Sequence, residues 1–466
     1  MMGAVATPSV PVTGSDVERR REQRSWYWYD WANSAYFATT VAVLYFPYLT
    51  VVAKRAACPG QDTDLACHTD LHVLGIPVAP GSLALYGTTT ATLLSAVLLP
   101  IVGAFADRIG RKRTLMAGFA WVGATAAAAM VLVGGGNWQL GVALQMLSAL
   151  AAASSLVVYD AILCDIATPD ERDRVSSRGW AFGYLGGGLL LALNLALVTA
   201  HSAVGLSTEW AVRISLLSAG VWWGLFTFIP YRGLRDRPQP VRDDGRSGPA
   251  EVVRQSFAQL AQTLRHLRGY PQTMLFLLAY LFYSDGIQTV IYAASIFGSE
   301  QLGLSSQELI AAILLVQFVA FAGALAFGRM AASVGAWRTV LSSLVLWCVV
   351  VGLGYVLPAK RFALFLLLAC LIGLVLGGSQ ALSRSLFSQL IPYGREAEYF
   401  SLYQACERGT SWLGTLMFGL VFQLTDNYRY AIATLVVFFV IGGTLLFRVD
   451  VARGAREAGN AVPTVV

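Results

Sequence analysis

Apolar residues in this chain come in runs of about twenty broken by short polar turns, with neither the alternation of half-buried strands nor the single stripe of a soluble helix. Runs of that length match a bilayer crossing, which takes roughly 20 apolar residues. Twelve windows stand out, at approximately 26–53, 83–106, 114–133, 138–163, 179–200, 212–231, 272–298, 308–331, 338–357, 361–383, 401–424 and 428–447. They fall as six and six around a polar stretch from Arg232 to Gly269. The pattern predicts an all-α integral membrane protein with twelve transmembrane helices in two pseudo-symmetric six-helix halves. Its parts are a tail at 1–25, a first half at 26–231, a linker at 232–271, a second half at 272–447 and a tail at 448–466.

A duplicated turn supports the two halves. Gly103-Ala-Phe-Ala-Asp107-Arg108-Ile-Gly110-Arg111-Lys112-Arg113-Thr114 matches Gly328-Arg-Met-Ala-Ala332-Ser-Val-Gly335-Ala-Trp-Arg338-Thr339. Gly103 pairs with Gly328, Gly110 with Gly335, Arg113 with Arg338 and Thr114 with Thr339, all at one constant offset of about half the chain. Repeated halves that rock about a central site are a common transporter design. In the linker, Arg235 to Pro249 reads as flexible, and Val253, Phe257, Leu260, Leu264 and Leu267 recur at helical steps with Arg254, Arg265 and Arg268 between them. That spacing predicts an amphipathic tether.

Composition narrows the class. With 56% hydrophobic and 13% charged residues over 466 positions, the chain is too apolar for a soluble domain. If residues 1–25 are cytoplasmic, that side holds 26 of the 33 Lys and Arg and the opposite side 6. The positive-inside rule then places both termini in the cytoplasm. The net charge of +6 is this loop asymmetry and calls for no nucleic acid. Residues 1–25 lack an apolar core, so no cleavable signal is expected there. No metal-ligand pattern, Walker loop, HExxH or GxSxG occurs, so the chain is not expected to be an enzyme and needs no cofactor beyond a coupling proton or sodium ion. Cys58 and Cys67 share the long outer loop, where a disulfide or two free thiols are both open. Glycines crowd the fifth helix (Gly183, Gly186, Gly187, Gly188) and the tenth (Gly373, Gly377, Gly378), as close packing in lipid requires.

Polar residues inside spans are costly and mark function. Asp285, Gln288, Tyr292 and Ser295 form one stripe on the seventh helix, with Asp285 near mid-membrane. It is the first candidate for solute contact or ion coupling. Asp30 and Asn33 repeat the Asp285–Gln288 spacing on the first helix; Tyr159 and Gln380 lie on polar faces of the fourth and tenth. These are candidates for binding. Asp107, with Arg108, Gly110 and Arg111, is a candidate gate, because an acid there can pair with its cations or sit at the positive N-terminus of a facing helix. The second copy has Ala332 in its place, so such a latch is one-sided. Asp160 and Arg384 are separated by nearly the same offset as the duplicated turn and would be opposite charges at equivalent places in the two halves. They either close one mouth of a cavity or anchor helix ends in the headgroup region. Glu407 and Arg408, adjacent on the eleventh helix, each need a partner from another helix or a water-filled cavity.

The signature loop Gly103 to Thr114 resembles that of the major facilitator superfamily over a chain of matching length. Tyr29-Asp-Trp-Ala-Asn-Ser-Ala35, Tyr283-Ser-Asp-Gly-Ile-Gln-Thr289 and Gly377-Gly-Ser-Gln-Ala-Leu-Ser-Arg-Ser385 are similar to the autophagy-linked vacuole effluxer branch and its bacterial relatives. Gly394-Arg-Glu-Ala-Glu398 and Glu407-Arg-Gly-Thr-Ser-Trp412 add to the likeness. The resemblance implies a cavity lined by helices one, four, seven and ten. It also implies a secondary transporter, with amino-acid efflux as the activity linked to fungal members. The expected protein works as a monomer in a bacterial inner (plasma) membrane on a small polar organic solute. A cation-coupled sugar or drug transporter and a non-transporting membrane receptor are the alternatives.

Overall fold

A computed structural model describes residues 15–237, apart from 64, 66 and 74, and residues 267–465, apart from 410. The amphipathic segment expected at 253–267 lies outside the described residues except for its last position. Among the described residues, eleven helices are long and apolar enough to cross a bilayer. We number the crossings α1 (Asp16–Ala57), α2 (Leu83–Ile109), α3 (Lys112–Ala129), α4 (Trp138–Ile166), α5 (Arg172–Thr199) and α6 (Thr208–Phe226) in the first half. The second half has α7 (Pro271–Ile296), α8 (Ser306–Val334), α9 (Ala336–Val356) and α10 (Phe362–Gln389). It ends with α11 in two pieces (Glu396–Gly409 and Ser411–Thr425) and α12 (Tyr428–Phe447). The two pieces of α11 bring the number of crossings to twelve.

Three departures from the hydrophobic pattern matter. First, α1 starts at Asp16, well before the apolar run, because Ser15 and Glu18 form a reciprocal capping box. Second, α1 passes through a π-helical stretch, Phe37–Leu44, which apolarity alone does not reveal. Third, α5 and α10 continue well past their apolar windows, to Arg172 and Gln389, and these polar ends are buried against the opposite half. The outer loop folds as a short antiparallel hairpin, β1 (Leu71–Val73) on β2 (Ile76–Val78), beside a Cys58–Cys67 disulfide.

The halves meet along α2 with α11 and α5 with α8, and α10 also packs on α5. The duplicated turn explains both seams. Gly103 lies so close to α11 that a Cβ there would stand 2.5 Å from the carbonyl oxygen of Ala397. Its counterpart Gly328 lies against Ser177 of α5, where a Cβ would stand 2.6 Å from the serine Cβ. Each copy therefore supplies a glycine at which its half touches the other. The second glycine of each copy turns the chain: Gly110 has φ +66° and Gly335 φ +92°, values that L side chains rarely adopt.

Candidate functional site

Polar side chains from both halves converge at the basic end of the bundle, the end that carries Ser15 and the C-terminal tail. Arg384 on α10 is the centre. Its Nη1 donates to Asp160 Oδ1 at 3.2 Å, its Nη2 to Asp30 Oδ2 at 3.3 Å and its Nε to Ser176 Oγ at 2.9 Å. Tyr159 donates its hydroxyl to the same Asp30 oxygen at 2.7 Å. The guanidinium lies over the ring of Trp26 at 4.8 Å, and Trp26 itself stacks on Tyr159. Asp160 is 2% exposed, Arg384 3% and Asp30 5%, so none of them is a headgroup anchor. A buried ion cluster is tolerable only when its geometry is good and its remaining valences are filled. Here the planar fork of Arg384 spans both carboxylates, and Gln404 of α11 donates to the other Asp160 oxygen at 2.9 Å.

A second node lies beside the first. Asp107, at the end of α2, accepts the backbone N–H groups of Ala397 at 3.0 Å and Glu398 at 2.8 Å. Those amides belong to the first turn of α11, whose donors have no partner within the helix, so Asp107 satisfies two of them and faces the positive end of the helix dipole. Gly110 then reverses the chain and brings Lys112 back under the same turn. Its ammonium is 3.1 Å from Glu396, 3.2 Å from Asp165 and 3.9 Å from Asp107. Arg172 donates to Ser388 O at 2.7 Å and Gln389 to Pro169 O at 2.8 Å, completing a seal between the halves. At its rim, Glu171 in the turn before α5 accepts from Arg19 Nε at 2.9 Å. Partial burial alone would push the Glu171 carboxyl up; the Thr168 N–H and the Arg19 guanidinium outweigh it and hold that group below the usual carboxylate range. Arg111 is exposed and Arg108 half-buried; of the four cations in the turn it is Lys112 that enters the seal.

Deeper along α7, α10 and α11 lies a small cleft whose walls include Tyr280, Ile287, Gln288, Gln380, Ser383 and Glu407. Glu407 accepts hydrogen bonds from Tyr280 Oη at 2.9 Å and Gln288 Nε2 at 3.3 Å, both neutral. Among the described residues no cation lies at ion-pair distance from it. Gln380 accepts from Tyr184 Oη at 2.6 Å, which ties α10 to α5. Arg408, next to Glu407, lies 5.9 Å from the ring of Phe37 on α1 and donates to Gln404 at 3.3 Å, the amide that also bonds Asp160.

Several expected placements are corrected. Asp285 does not line this cleft. A step of three residues falls short of a full helical turn, and that offset from Gln288 aims Asp285 at α11, where it accepts the N–H of Gly414 at 2.9 Å. Tyr159 is stacked and bonded inside the seal, unlike the solute contact its spacing predicts. Asn33 donates to the Tyr29 carbonyl of its own helix at 3.0 Å. Tyr292 is exposed, one turn beyond Gln288. Three participants carry no signal in the spacing analysis: Lys112 as the chosen cation, Glu396 and Asp165; Gln404 shares the helical face of Arg408. The run Gly394-Arg-Glu-Ala-Glu398 did mark the start of α11, where Glu396 lies.

Residues 18–459 match the model of a family described as vacuole effluxer Atg22 like. A Bacillus subtilis protein called an uncharacterized MFS-type transporter, YxiO, is 30% identical over 91% of this chain and 94% of its own length. The autophagy-related protein 22 of Pyricularia oryzae is 25% identical over 96% of this chain and 78% of its own. Among solved structures, the proton:xylose symporter XylE superposes with a TM-score of 0.68 at 11% identity, covering 93% of this chain and 96% of that one. The human organic anion transporter MFSD10 superposes at 0.64 and 14%, covering 92% and 99%. These structures establish the fold. The chain is an integral membrane transporter of the major facilitator type and belongs to the vacuole effluxer Atg22-like family.

Proposed function

We propose that this transporter moves an amino acid, or a closely similar ammonium-bearing solute, by alternating access, with Glu407 as the counter-charge. The observation that carries the reading is the carboxylate of Glu407, held in the cleft wall by two neutral donors and by no cation among the described residues. A charge kept in an apolar bundle without a counter-ion is expensive, and a solute ammonium would supply the missing partner.

The distribution of Lys and Arg makes the sealed end cytoplasmic, with both termini on that side, so this conformation faces outward. A bacterial plasma membrane fits the Bacillus relative. Both halves lie in one chain, so the monomer is the working unit. Efflux is the direction we assign, following the family's description as effluxers.

Counterflow in proteoliposomes tests this reading. Vesicles loaded with unlabelled amino acids should take up labelled ones without any ion gradient. Glu407→Gln keeps the shape and loses the charge; a hydrogen bond to a charged group is worth about 1.5–3 kcal/mol, so apparent affinity should fall about 10- to 150-fold. Exchange of sugars or apolar cations in place of amino acids would overturn the solute class, and binding without exchange would mark a receptor.

A further inference from the structure

We infer that residues 458–465, beyond α12, form a strap that ties the two halves together across the sealed basic end and must let go before that end opens. The inference rests on the alternating-access reading and holds whichever solute is carried. The strap starts from a firm base on the second half. After α12 a short helix, Val451–Glu457, is capped by Asp450, whose side chain accepts the Arg453 N–H at 2.8 Å. The Asp450 N–H in turn donates to Gln272 Oε1, at the start of α7, at 2.8 Å. Gly454 of the short helix lies close to the end of α10, where a Cβ would stand 2.5 Å from Leu390 Cδ2. Gly459, at φ +75°, then turns the chain. Asn460 Nδ2 donates to Gln389 O at 2.9 Å and Ile391 O at 2.8 Å. Carbonyls at the end of a helix have no partner within it, so Asn460 meets a need that α10 cannot meet by itself.

A few residues further on, the chain reaches the other half. Thr464 donates its N–H at 2.7 Å and its hydroxyl at 3.0 Å to one oxygen of Asp170, in the turn Pro169–Glu171 before α5. The stretch from Asn460 to Thr464 spans at most about 14 Å, so a tail fixed at Asn460 cannot follow Asp170 far. Near these anchors Pro463 and Val465 cover a recess built by both halves, with Asp173 of α5, Trp337 of α9, and Leu386 and Gln389 of α10. Gln389 itself donates to Pro169 O, so the strap lies over a bond that already joins the halves. Every one of these cross-contacts links parts that separate when the basic end opens. The Thr464–Asp170 bonds are exposed, where water competes for the same groups, so the strap adds a modest bias to the buried Arg384 cluster. A catch released in every cycle has to be of that strength.

Spin labels at Arg111→Cys and Ser333→Cys, exposed positions at the basic ends of the two halves, test the strap in the full-length protein in lipid, without a solute. Cys164, Cys348, Cys370 and Cys406 are replaced beforehand, and double electron–electron resonance reads the distance between the labels. Thr464→Pro removes both donors to Asp170 and should raise the ratio of the longer to the shorter distance about three- to tenfold. Thr464→Asp sets a second carboxylate against Asp170 and should raise it at least as far. Adding Asp170→Asn to Thr464→Asp removes that repulsion and should bring the ratio back toward the parental value. Arg384→Leu, which breaks the buried seal, marks the longer distance independently. A longer distance in Arg384→Leu with parental distances in Thr464→Pro would reject the strap and leave alternating access standing. Parental distances in every variant would reject the opening of this end, and the strap with it. Opening by Thr464→Asp that Asp170→Asn does not reverse would overturn Thr464 and Asp170 as the catch.

Discussion

Arg384→Leu is expected to open the basic end. In the sealed conformation the leucine leaves Asp30 and Asp160 facing each other with no cation between them. Removing one partner of a buried ion pair costs roughly 3–5 kcal/mol, because the charge that stays behind is no longer compensated. Once the halves part at this end, both carboxylates reach water, so the cost falls on the sealed state alone and shifts the equilibrium by about two to three and a half decades. A thiol placed at Ser385, buried in the same seam, reports the change. In a background without Cys164, Cys348, Cys370 and Cys406, Ser385→Cys should react slowly with a membrane-impermeant reagent supplied at the basic end. Adding Arg384→Leu should speed that reaction by at least about tenfold, the factor given by only about 1.4 kcal/mol. An unchanged rate would mean that the Arg384 cluster does not hold the halves together.

Much of this seam is legible in the sequence, and the reasons are specific. Asp160 and Arg384 are separated by the repeat offset less one, so a pseudo-twofold arrangement brings equivalent helix ends, and hence opposite charges, face to face. Asp107 ends a span just before a glycine turn, where the only nearby positive features are its own cations and the start of a facing helix; the structure supplies the helix start and one cation. The choice of Lys112 among four cations is not legible, because it depends on the left-handed turn at Gly110, which points Arg111 outward and Lys112 back under α11.

The cleft is less legible than the seam. Helical periodicity places Asp285 and Gln288 on one side of α7, but a three-residue step is not a whole turn, and the remaining offset is enough to separate a cavity wall from a helix interface. The interface wins for Asp285 because Gly414, whose missing side chain lets α11 approach, sits opposite it. Glu407 occupies the cavity wall because α11 presents it to Tyr280 and Gln288, which are far from it along the chain. Adjacent charges at 407 and 408 announce that two partners are needed; the sequence does not say which helices provide them. The same limit applies to Tyr159, whose polar face is shared between cavity and seal until the position of Trp26 is known.

The duplicated glycines make the other large prediction, and their difference gives it an internal control. Gly103→Ala places a methyl group 2.5 Å from the Ala397 carbonyl oxygen and 2.9 Å from the Glu398 Cα, both backbone atoms of α11. Neither can rotate away, so the helices must separate. That separation also draws the Ala397 and Glu398 amides from Asp107. Overpacking of this kind costs about 1–3 kcal/mol before the lost hydrogen bonds are added. Gly328→Ala meets a side chain, with its Cβ 2.6 Å from Ser177 Cβ and 2.7 Å from Ser177 Oγ. Both variants should raise the reactivity of the Ser385→Cys thiol, and Gly103→Ala should raise it more. Ser177→Gly removes the obstructing atoms, so Gly328→Ala with Ser177→Gly should return to the parental rate. The same second change should leave Gly103→Ala as reactive as before, because the seam at α2 and α11 has its own contact. Independent sites add and neighbours couple, so the pair of double variants separates the two seams. Rescue of Gly103→Ala by Ser177→Gly would show instead that the halves move as one rigid contact, with no distinction between backbone and side-chain closure.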